Sequence, residues 1–319
     1  MVVENEFGPV VQLNRTSDSG SESRGFESRR GHKMNKSTHP FMQLLVMLAI
    51  ALGMTLVASI FVLLLPLMGV PVTTPAGLRW GQVITSLLAF AVPVLVMTAI
   101  YYKGSAREYY GLEISGRTWG VALAGVMAML LVVPVNEVLT EWNDSWDLGA
   151  VGRMLRSIQE QTEGVLDTLM SADTVGGLVA NLLVVALTAA VCEELFFRCG
   201  IQNLLQRWFR NRHAAVWVAA AVFSIAHGEL FSFVPRFVLG VLLGYLYAYG
   251  RSPLPNMLAH FVNNAIVVVL YWLVARGVLD IDPEAPLRFP WPLTVGCTIA
   301  AVAVMWVTLS GNNRKNSSV

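Results

Sequence analysis

Long apolar segments follow one another along this chain, and charged or turn-forming residues separate them. An apolar run of about 17 to 25 residues has the length of a helix that crosses the hydrocarbon core of a bilayer. The pattern therefore predicts an all-α fold, a polytopic membrane protein of about eight transmembrane helices. The predicted spans are residues 41–68, 81–102, 118–139, 176–200, 213–230, 233–250, 255–276 and 290–310.

The composition agrees with this fold class and excludes a soluble domain of the same size. Of the 319 residues, 55% are hydrophobic and 13% are charged, and the mean hydropathy is +0.57. Values this apolar are typical of membrane proteins. Cys192, Cys199 and Cys297 fall within or beside predicted spans. We expect them to be packing residues rather than members of a disulfide framework.

The basic residues are unevenly distributed, and their distribution predicts the orientation in the membrane. Short loops rich in Lys and Arg remain in the cytoplasm. The N-terminal tail and the loops around Arg107, Arg210 and Arg251 carry most of the 22 basic residues, whereas acidic residues gather near Asp144 and Asp282. Both termini are therefore expected in the cytoplasm. The charge bias indicates topology rather than binding of nucleic acid.

The chain divides into a tail, a helical membrane domain and a second, shorter tail. Residues 1–40 are rich in Ser, Arg, Gly and Asn and are expected to form a disordered basic and polar tail, in which Met34 is an alternative start of translation. The helical membrane domain is expected at 41–310 and a cytoplasmic C-terminal tail at 311–319. Apolar residues recur at near-helical spacing through 140–175, which predicts an extracytoplasmic helix at the membrane interface, with a lid as the alternative.

Charged side chains interrupt the predicted span 176–200. A single charge at the centre of a spanning helix costs about 2.5 to 3.5 kcal/mol on insertion scales, so the adjacent carboxylates of Glu193 and Glu194 indicate function. Glu194 and Arg198 are four residues apart, with the glutamate first, which favours an ion pair on one helix face. Glu193 lies about 100° around the axis from its neighbour. It is therefore left free to act as a base.

Two later spans repeat the four-residue spacing with polar side chains, in the pairs Phe223 with His227 and His260 with Asn264. Glu193 and His227 are equally far in sequence from the turn between their spans, so a helical hairpin brings them to the same depth. Glutamate plus histidine orients and deprotonates a water. Histidine plus asparagine supplies hydrogen-bond donors for an oxyanion. The three elements together predict a hydrolytic site.

The same residue types leave a metal site as an alternative. Glu193, His227 and His260 match a catalytic zinc set that keeps one position open for water. The sequence lacks the His-Glu-x-x-His helix that would make zinc the first choice. No cofactor is therefore expected, and a divalent metal such as zinc is the alternative.

Each element taken alone also has a purely structural explanation. An intramembrane pair such as Glu194 with Arg198 often serves as a structural bridge, and a ring such as Phe223 is typical of a packed core. Two other functions compete with hydrolysis: a non-catalytic membrane immunity or scaffold protein, and a proton-coupled transporter. No repeated halves, which many transporters carry, are recognisable in the sequence. The occurrence of all three elements in order favours the enzyme.

The ordered motifs resemble those of a known family. Glu-Glu-x-x-x-Arg begins at Glu193, Phe-x-x-x-His at Phe223 and His-x-x-x-Asn at His260. Together they resemble the CAAX protease and bacteriocin-processing family (CPBP, also called Abi) of intramembrane glutamic-type endopeptidases. The resemblance covers roughly residues 176–280, and every motif position agrees with the pattern.

The resemblance implies an endopeptidase that cuts a peptide bond near the cytoplasmic membrane face, in a cavity that opens toward the cytosol. The implied catalytic residues are Glu193 and His227 for the water, and His260 and Asn264 for the oxyanion. The implied supporting residues are Glu194, Arg198 and Phe223. Eukaryotic relatives remove the last three residues of prenylated Cys-a-a-X proteins, so the implied partner is a peptide or protein, membrane-associated or lipidated, within membrane lipid. The plasma membrane of a bacterium is the expected location.

Overall fold

The computed structural model describes residues 38–102, 106–112, 114–250, 252–283 and 285–314. Helices and the turns between them make up these ranges, and no β-strand occurs within them. The helices are α1 (Pro40–Leu64), α2 (Pro75–Tyr101), α3 (Ala106–Tyr110), α4 (Gly116–Asp144), α5 (Gly149–Met170), α6 (Val175–Phe209), α7 (Arg212–Ala226), α8 (Phe233–Gly250), α9 (Leu254–Ala275) and α10 (Trp291–Arg314).

The predicted fold class is confirmed: the protein is an all-α, multi-pass integral membrane protein. In the described part of the chain, seven helices are long and apolar enough to cross a membrane. The prediction of a full fifth span at 213–230 is wrong, because α7 has only 15 residues. It ends where Gly228, with φ +73°, turns the chain back toward α8. Such a positive φ is readily adopted by glycine and ends a helix.

The helix α6 is longer than the predicted span 176–200 and continues to Phe209. Gly200 does not end it, because the glycine faces α1: a Cβ there would lie 2.8 Å from the sulfur of Met47. Two stretches of α6 are π-helical, Leu182–Thr188 and Leu195–Gln202. They flank the α-helical turn that carries the two glutamates. Wide π-helical turns inside α-helices occur frequently at functional sites.

The α7–α8 turn is anchored by the C-terminal end of α4. The Asn143 side chain is fully buried there; its Nδ2 donates to the carbonyl of Leu230 over 3.1 Å, and its Oδ1 accepts from the amide of Val234 over 2.7 Å. From α5, the Arg156 guanidinium lies 4.0 Å from the centre of the Phe231 ring. The segment that follows His227 is therefore held from two sides.

The helix α5 occupies most of the segment 140–175, as the spacing of its apolar residues predicts. Val151, Met154 and Val165 on this helix are exposed. Its place at the extracytoplasmic interface stays a prediction. The predictions for residues 1–37, with the alternative start at Met34, and for residues 315–319 lie outside the described residues.

The packed core joins the helices that carry the polar motifs. Met47, Met97, Phe197 and Phe223 belong to one cluster that unites α1, α2, α6 and α7. A second cluster joins α4 with α8 and α9. The three cysteines are free, as predicted; Cys192 and Cys199 are buried, while Cys297 is partly exposed. Each motif helix is thus fixed on at least one face by close packing.

Candidate active site

A buried ion pair and a histidine form the inner part of the site. Glu194 Oε2 accepts from Arg198 Nε over 2.9 Å, and both side chains are completely buried, which agrees with the predicted pair on one helix face. Glu194 Oε1 lies 3.0 Å from Nδ1 of His260 on α9. Since a carboxylate only accepts hydrogen bonds, Nδ1 of His260 carries the proton in this contact. One carboxylate therefore joins α6 to α9.

Three polar atoms converge beside this inner pair. Glu193 Oε2 lies 4.0 Å from Nε2 of His227 and 3.8 Å from Nε2 of His260. The oxygen is buried and has no hydrogen-bond partner in the described part of the chain. The folding of α6, α7 and α9 thus brings together three side chains that are 34 and 33 residues apart in sequence. The gap between their atoms is wider than a direct hydrogen bond.

The orientation of His227 follows from its place at the end of α7. Its Nδ1 lies 2.8 Å from the backbone carbonyl of Phe223, one turn earlier. A carbonyl can only accept, so Nδ1 carries a proton. In the neutral ring, Nε2 then keeps its lone pair and faces Glu193. Gly228 and the α7–α8 turn set this geometry, because they free the last carbonyls of α7 for side-chain contacts.

The Phe223 ring forms a wall of the site. It is almost fully buried and packs edge-on against His227 and His260, with ring centres 4.8 and 6.0 Å apart. The Arg198 guanidinium lies 5.3 Å from its centre, within reach of a cation–π interaction. Phe223 is therefore a core residue that contacts both histidines and the arginine of the inner ion pair.

Asn264 lies one turn beyond His260 on α9, as its spacing predicts, but its side chain contacts Val185 on α6 and the neighbouring Asn263. Its Nδ2 lies 3.5 Å from the carbonyl of Val185 on α6, at the outer limit of a hydrogen bond. Its Oδ1 accepts from Asn263 over 3.2 Å. A side chain held this weakly needs only a rotamer change to turn its amide to another acceptor.

The exposed fractions of the side chains show which side of the site is open. Glu194 and Arg198 are fully buried, whereas the exposed fraction rises to 7% for His260, 12% for Glu193 and 30% for His227. The site is therefore closed on the side of the ion pair and opens toward the α7–α8 turn.

Two buried amides behind the ion pair were missed by the sequence analysis. Gln202 Nε2 donates to the carbonyl of Gly244 over 2.8 Å, and Asn256 Nδ2 donates to the neighbouring carbonyl of Leu243. Gln202 follows Arg198 by four residues, and Asn256 precedes His260 by four. The spacing that identified the motifs therefore continues for one more turn on both helices, and following it would have identified both residues.

An arginine close to the site was missed as well. Arg236 lies in the first turn of α8 and forms an ion pair with Glu229 in the preceding turn. Glu229 follows His227 by two residues, so this ion pair lies just beyond the end of α7. The sequence analysis did not single it out, because nine positions separate it from His227 and no helical spacing relates them.

The fold and the cluster define a helical membrane protein with glutamate and two histidines converging inside the bundle. Residues 175–266 match the family model described as Rce1-like, Type II CAAX prenyl endopeptidase Rce1-like. This match, over less than a third of the chain, confirms the resemblance drawn from the three motifs, and the family that it names points to a protease acting on a peptide or protein. No curated protein and no solved structure matches the chain.

Glu193 Oε2 lies farther from the two Nε2 atoms than the ligand atoms of a tetrahedral zinc lie from one another. A zinc ion with bonds of about 2.0 Å in tetrahedral geometry holds its ligand atoms about 3.3 Å apart. The 3.8 and 4.0 Å separations from Glu193 Oε2 are wider than this. Among the residues that the structure describes, no group of three or more His, Cys, Asp or Glu side chains has a geometry that fits a metal ion. As placed, Glu193, His227 and His260 do not fit zinc.

Proposed function

We propose that this protein is an intramembrane endopeptidase that hydrolyses a peptide bond with a water held by Glu193 and His227. The observation that carries the proposal is the convergence of Glu193 Oε2 on the Nε2 atoms of His227 and His260, at 4.0 and 3.8 Å, within a Rce1-like domain. A base and a hydrogen-bonding histidine on opposite sides of one small space are the groups that water activation requires.

The spacing suits a water molecule. A water about 2.8 Å from both Glu193 Oε2 and His227 Nε2 opens an angle of roughly 90° between them. Its two hydrogens then point at two acceptors, the carboxylate and the free lone pair of the imidazole, and its oxygen lone pairs remain directed at the substrate. The water oxygen bonds to the scissile carbonyl carbon, and Glu193 takes the proton. The C–N bond then breaks, and the proton passes to the leaving amine.

His260 contributes differently from His227 because its Nδ1 is already bound to Glu194. Its Nε2 can donate to the carbonyl oxygen of the substrate only when the ring carries both protons. A protonated His260 completes a neutral set with Glu193, Glu194 and Arg198, so its charge is balanced inside the bundle. Asn264, after a rotamer change, supplies the second donor to the oxyanion.

The proposed substrate is a membrane-associated or lipidated peptide or protein, and both termini of the enzyme lie in the cytoplasm of a bacterium. The length of α7 determines the depth of the proposed cut. With Arg212 at the cytoplasmic end, the 15 residues of α7 place His227 about 22 Å into a hydrocarbon core about 30 Å thick. The substrate must then reach past the middle of the membrane, so the cut lies deeper than the expected position near the cytoplasmic face.

Purified protein in detergent or liposomes tests this function with a peptide that carries an isoprenylated cysteine three residues before its C-terminus. We expect the wild type to release the last three residues, and the His227→Ala and Glu193→Ala variants to lose at least about 10²-fold in rate. Membrane proteomes of cells carrying wild type or Glu193→Ala extend the test to natural substrates, through products found only with the wild type. Full cleavage by both alanine variants would refute the proposal.

Water activation without a metal is part of the proposal, since the three converging atoms are too far apart for zinc. We expect hydrolysis to continue at an unchanged rate after treatment with a chelator, and metal analysis of the purified protein to give less than one equivalent of zinc. Stoichiometric zinc whose removal abolishes turnover, with recovery on adding it back, would overturn this part.

A further inference from the structure

The hairpin of α7 and α8 carries a column of aromatic rings outside the candidate active site. The ring centres of Trp217 and Phe237 are 5.5 Å apart, and Phe237 stacks on Phe233 with ring centres 5.9 Å apart. In the other direction, Trp217 Nε1 donates to the hydroxyl oxygen of Tyr245 over 3.2 Å. The rings of Tyr245 and Tyr249 are 6.3 Å apart. These five residues, which we call the aromatic column, join α7 to α8 along the hairpin.

Cationic and polar groups lie at one end of the aromatic column. The Arg212 guanidinium lies 4.9 Å from the centre of the Tyr249 ring, and Nδ1 of His213 lies 3.0 Å from the Tyr245 hydroxyl. When Tyr245 donates its proton to Nδ1, the ring proton of His213 is on Nε2 and is available to another acceptor. His213 is exposed, and so is Arg210 in the turn before α7. This end of the hairpin therefore presents positive charge and hydrogen-bond donors.

Few acidic residues are available to balance these cations. Between Glu194 and Asp280 the sequence contains a single acidic residue, Glu229, which pairs with Arg236 at the other end of α8. Clusters of basic residues at the ends of membrane helices attract anionic lipid head groups. The distribution of Lys and Arg predicts that this end of the hairpin is cytoplasmic, and cytoplasmic leaflets carry anionic lipids. The basic end therefore suits the phosphate of a lipid.

The order of the groups along the hairpin matches the order of the parts of a phospholipid. Phe237 precedes Tyr249 by twelve residues, so the two are about 18 Å apart along α8. One leaflet of the hydrocarbon core is about 15 Å thick, half of the bilayer core. Trp217 lies between the two in the column and is 51% exposed. An acyl chain that extends from a head group at the basic end can therefore lie along the rings.

We propose that the α7–α8 hairpin binds an anionic phospholipid. Arg210, Arg212 and His213 bind its phosphate. One acyl chain lies along Trp217 and Phe237. The site is separate from the catalytic cluster, and the inference does not depend on the proposed protease function. A lipid bound in this way contacts both helices and stabilises the hairpin.

Native mass spectrometry of the purified protein in detergent tests this inference with phosphatidylglycerol and phosphatidylcholine that carry the same acyl chains. We expect the wild type to bind phosphatidylglycerol at least about tenfold more tightly, because each cation near an anionic lipid changes the affinity about fivefold. The double variant Arg210→Gln with Arg212→Gln should raise the Kd for phosphatidylglycerol to that for phosphatidylcholine. Arg210→Gln alone, in the exposed turn, should lower the preference about fivefold.

The variant Trp217→Ala tests the acyl-chain part of the site. It removes a ring from the aromatic column and leaves the cations in place, so both lipids should bind about five- to tenfold more weakly. The preference for phosphatidylglycerol should remain. A Trp217→Ala protein that binds both lipids as tightly as the wild type would contradict a chain along the column.

Two controls separate a lipid site from general charge attraction. Arg288→Gln removes an exposed arginine that pairs with Glu141, and it should leave the preference unchanged. Soluble glycerol 3-phosphate in excess should not displace phosphatidylglycerol, because it has no acyl chain. The melting temperature in lipid-free detergent shows whether each variant remains folded. Equal affinity of the wild type for both lipids, an equal loss of preference in Arg288→Gln, or displacement by glycerol 3-phosphate would overturn the inference.

Discussion

Replacing Glu193 by glutamine should lower kcat for peptide hydrolysis by about 10²- to 10⁴-fold while the protein remains folded. Glutamine keeps the size of the side chain and can still hydrogen-bond a water, but it cannot take up a proton near neutral pH. The loss should appear mainly in kcat, because Glu193 acts on the water rather than on the bound peptide. Single-turnover cleavage of the isoprenylated peptide measures the loss in rate, and the melting temperature shows whether the variant remains folded.

The matched control for this variant is Glu141→Gln. Glu141 lies near the end of α4, is largely exposed and pairs with Arg288 at 3.2 Å. Removing its charge should leave cleavage and melting temperature close to the wild type, because exposed ion pairs contribute about 0 to 1 kcal/mol. A Glu193→Gln protein that cleaves at the wild-type rate would mean that another group activates the water.

Replacing Glu194 by leucine should destabilise the protein by about 3 to 5 kcal/mol, the cost of breaking a buried ion pair by removing one partner. Arg198 is completely buried, and its Nη1 and Nη2 have no partner among the described residues. Without Glu194 the Nε of Arg198 loses its acceptor, and Nδ1 of His260 loses its acceptor as well. Unfolding by titration with a denaturing detergent in mixed micelles measures the difference.

The double variant Glu194→Leu with Arg198→Met tests the physical reason. It removes both charges together, so most of the stability should return, since apolar replacement of a whole buried pair is often neutral. Activity should not return, because His260 is no longer held. Arg288→Met, which breaks the exposed pair with Glu141, provides the control and should cost less than about 1 kcal/mol. A single Glu194→Leu change as mild as this control would contradict a structural role for the pair.

The parts of the site that repeat every four residues on a helix were predictable from the sequence. That spacing predicted the ion pair of Glu194 with Arg198 and the shared face of Phe223 and His227. Side chains four residues apart share a face whatever surrounds the helix. The lengths of the apolar segments likewise predicted the fold class. The end of α7 was predicted four residues too late, because the span was extended over the polar turn His227-Gly228-Glu229 to Leu230.

The contacts between side chains on different helices could not be predicted from the sequence. The π-helical stretches of α6 carry no distinctive residue pattern, yet they change which side chains face α9. The bond from His260 to Glu194 depends on how α9 packs against α6, so the sequence assigned His260 to the oxyanion without its link to the ion pair. The chain reverses at Gly228 between His227 and Arg236, and no periodic pattern in the sequence predicts this reversal.

The shortness of α7 has a consequence for the surrounding lipid. A helix of 15 residues is about 22 Å long, less than the hydrocarbon thickness of a typical bilayer. A bilayer next to such a helix thins or draws in head groups to meet it, at a cost of a fraction of a kcal/mol for each ångström of mismatch. His227 stands at the end of this helix, so the thinned leaflet shortens the path of water to the reacting bond. Lipid acyl-chain length thereby becomes a determinant of how easily the site is hydrated.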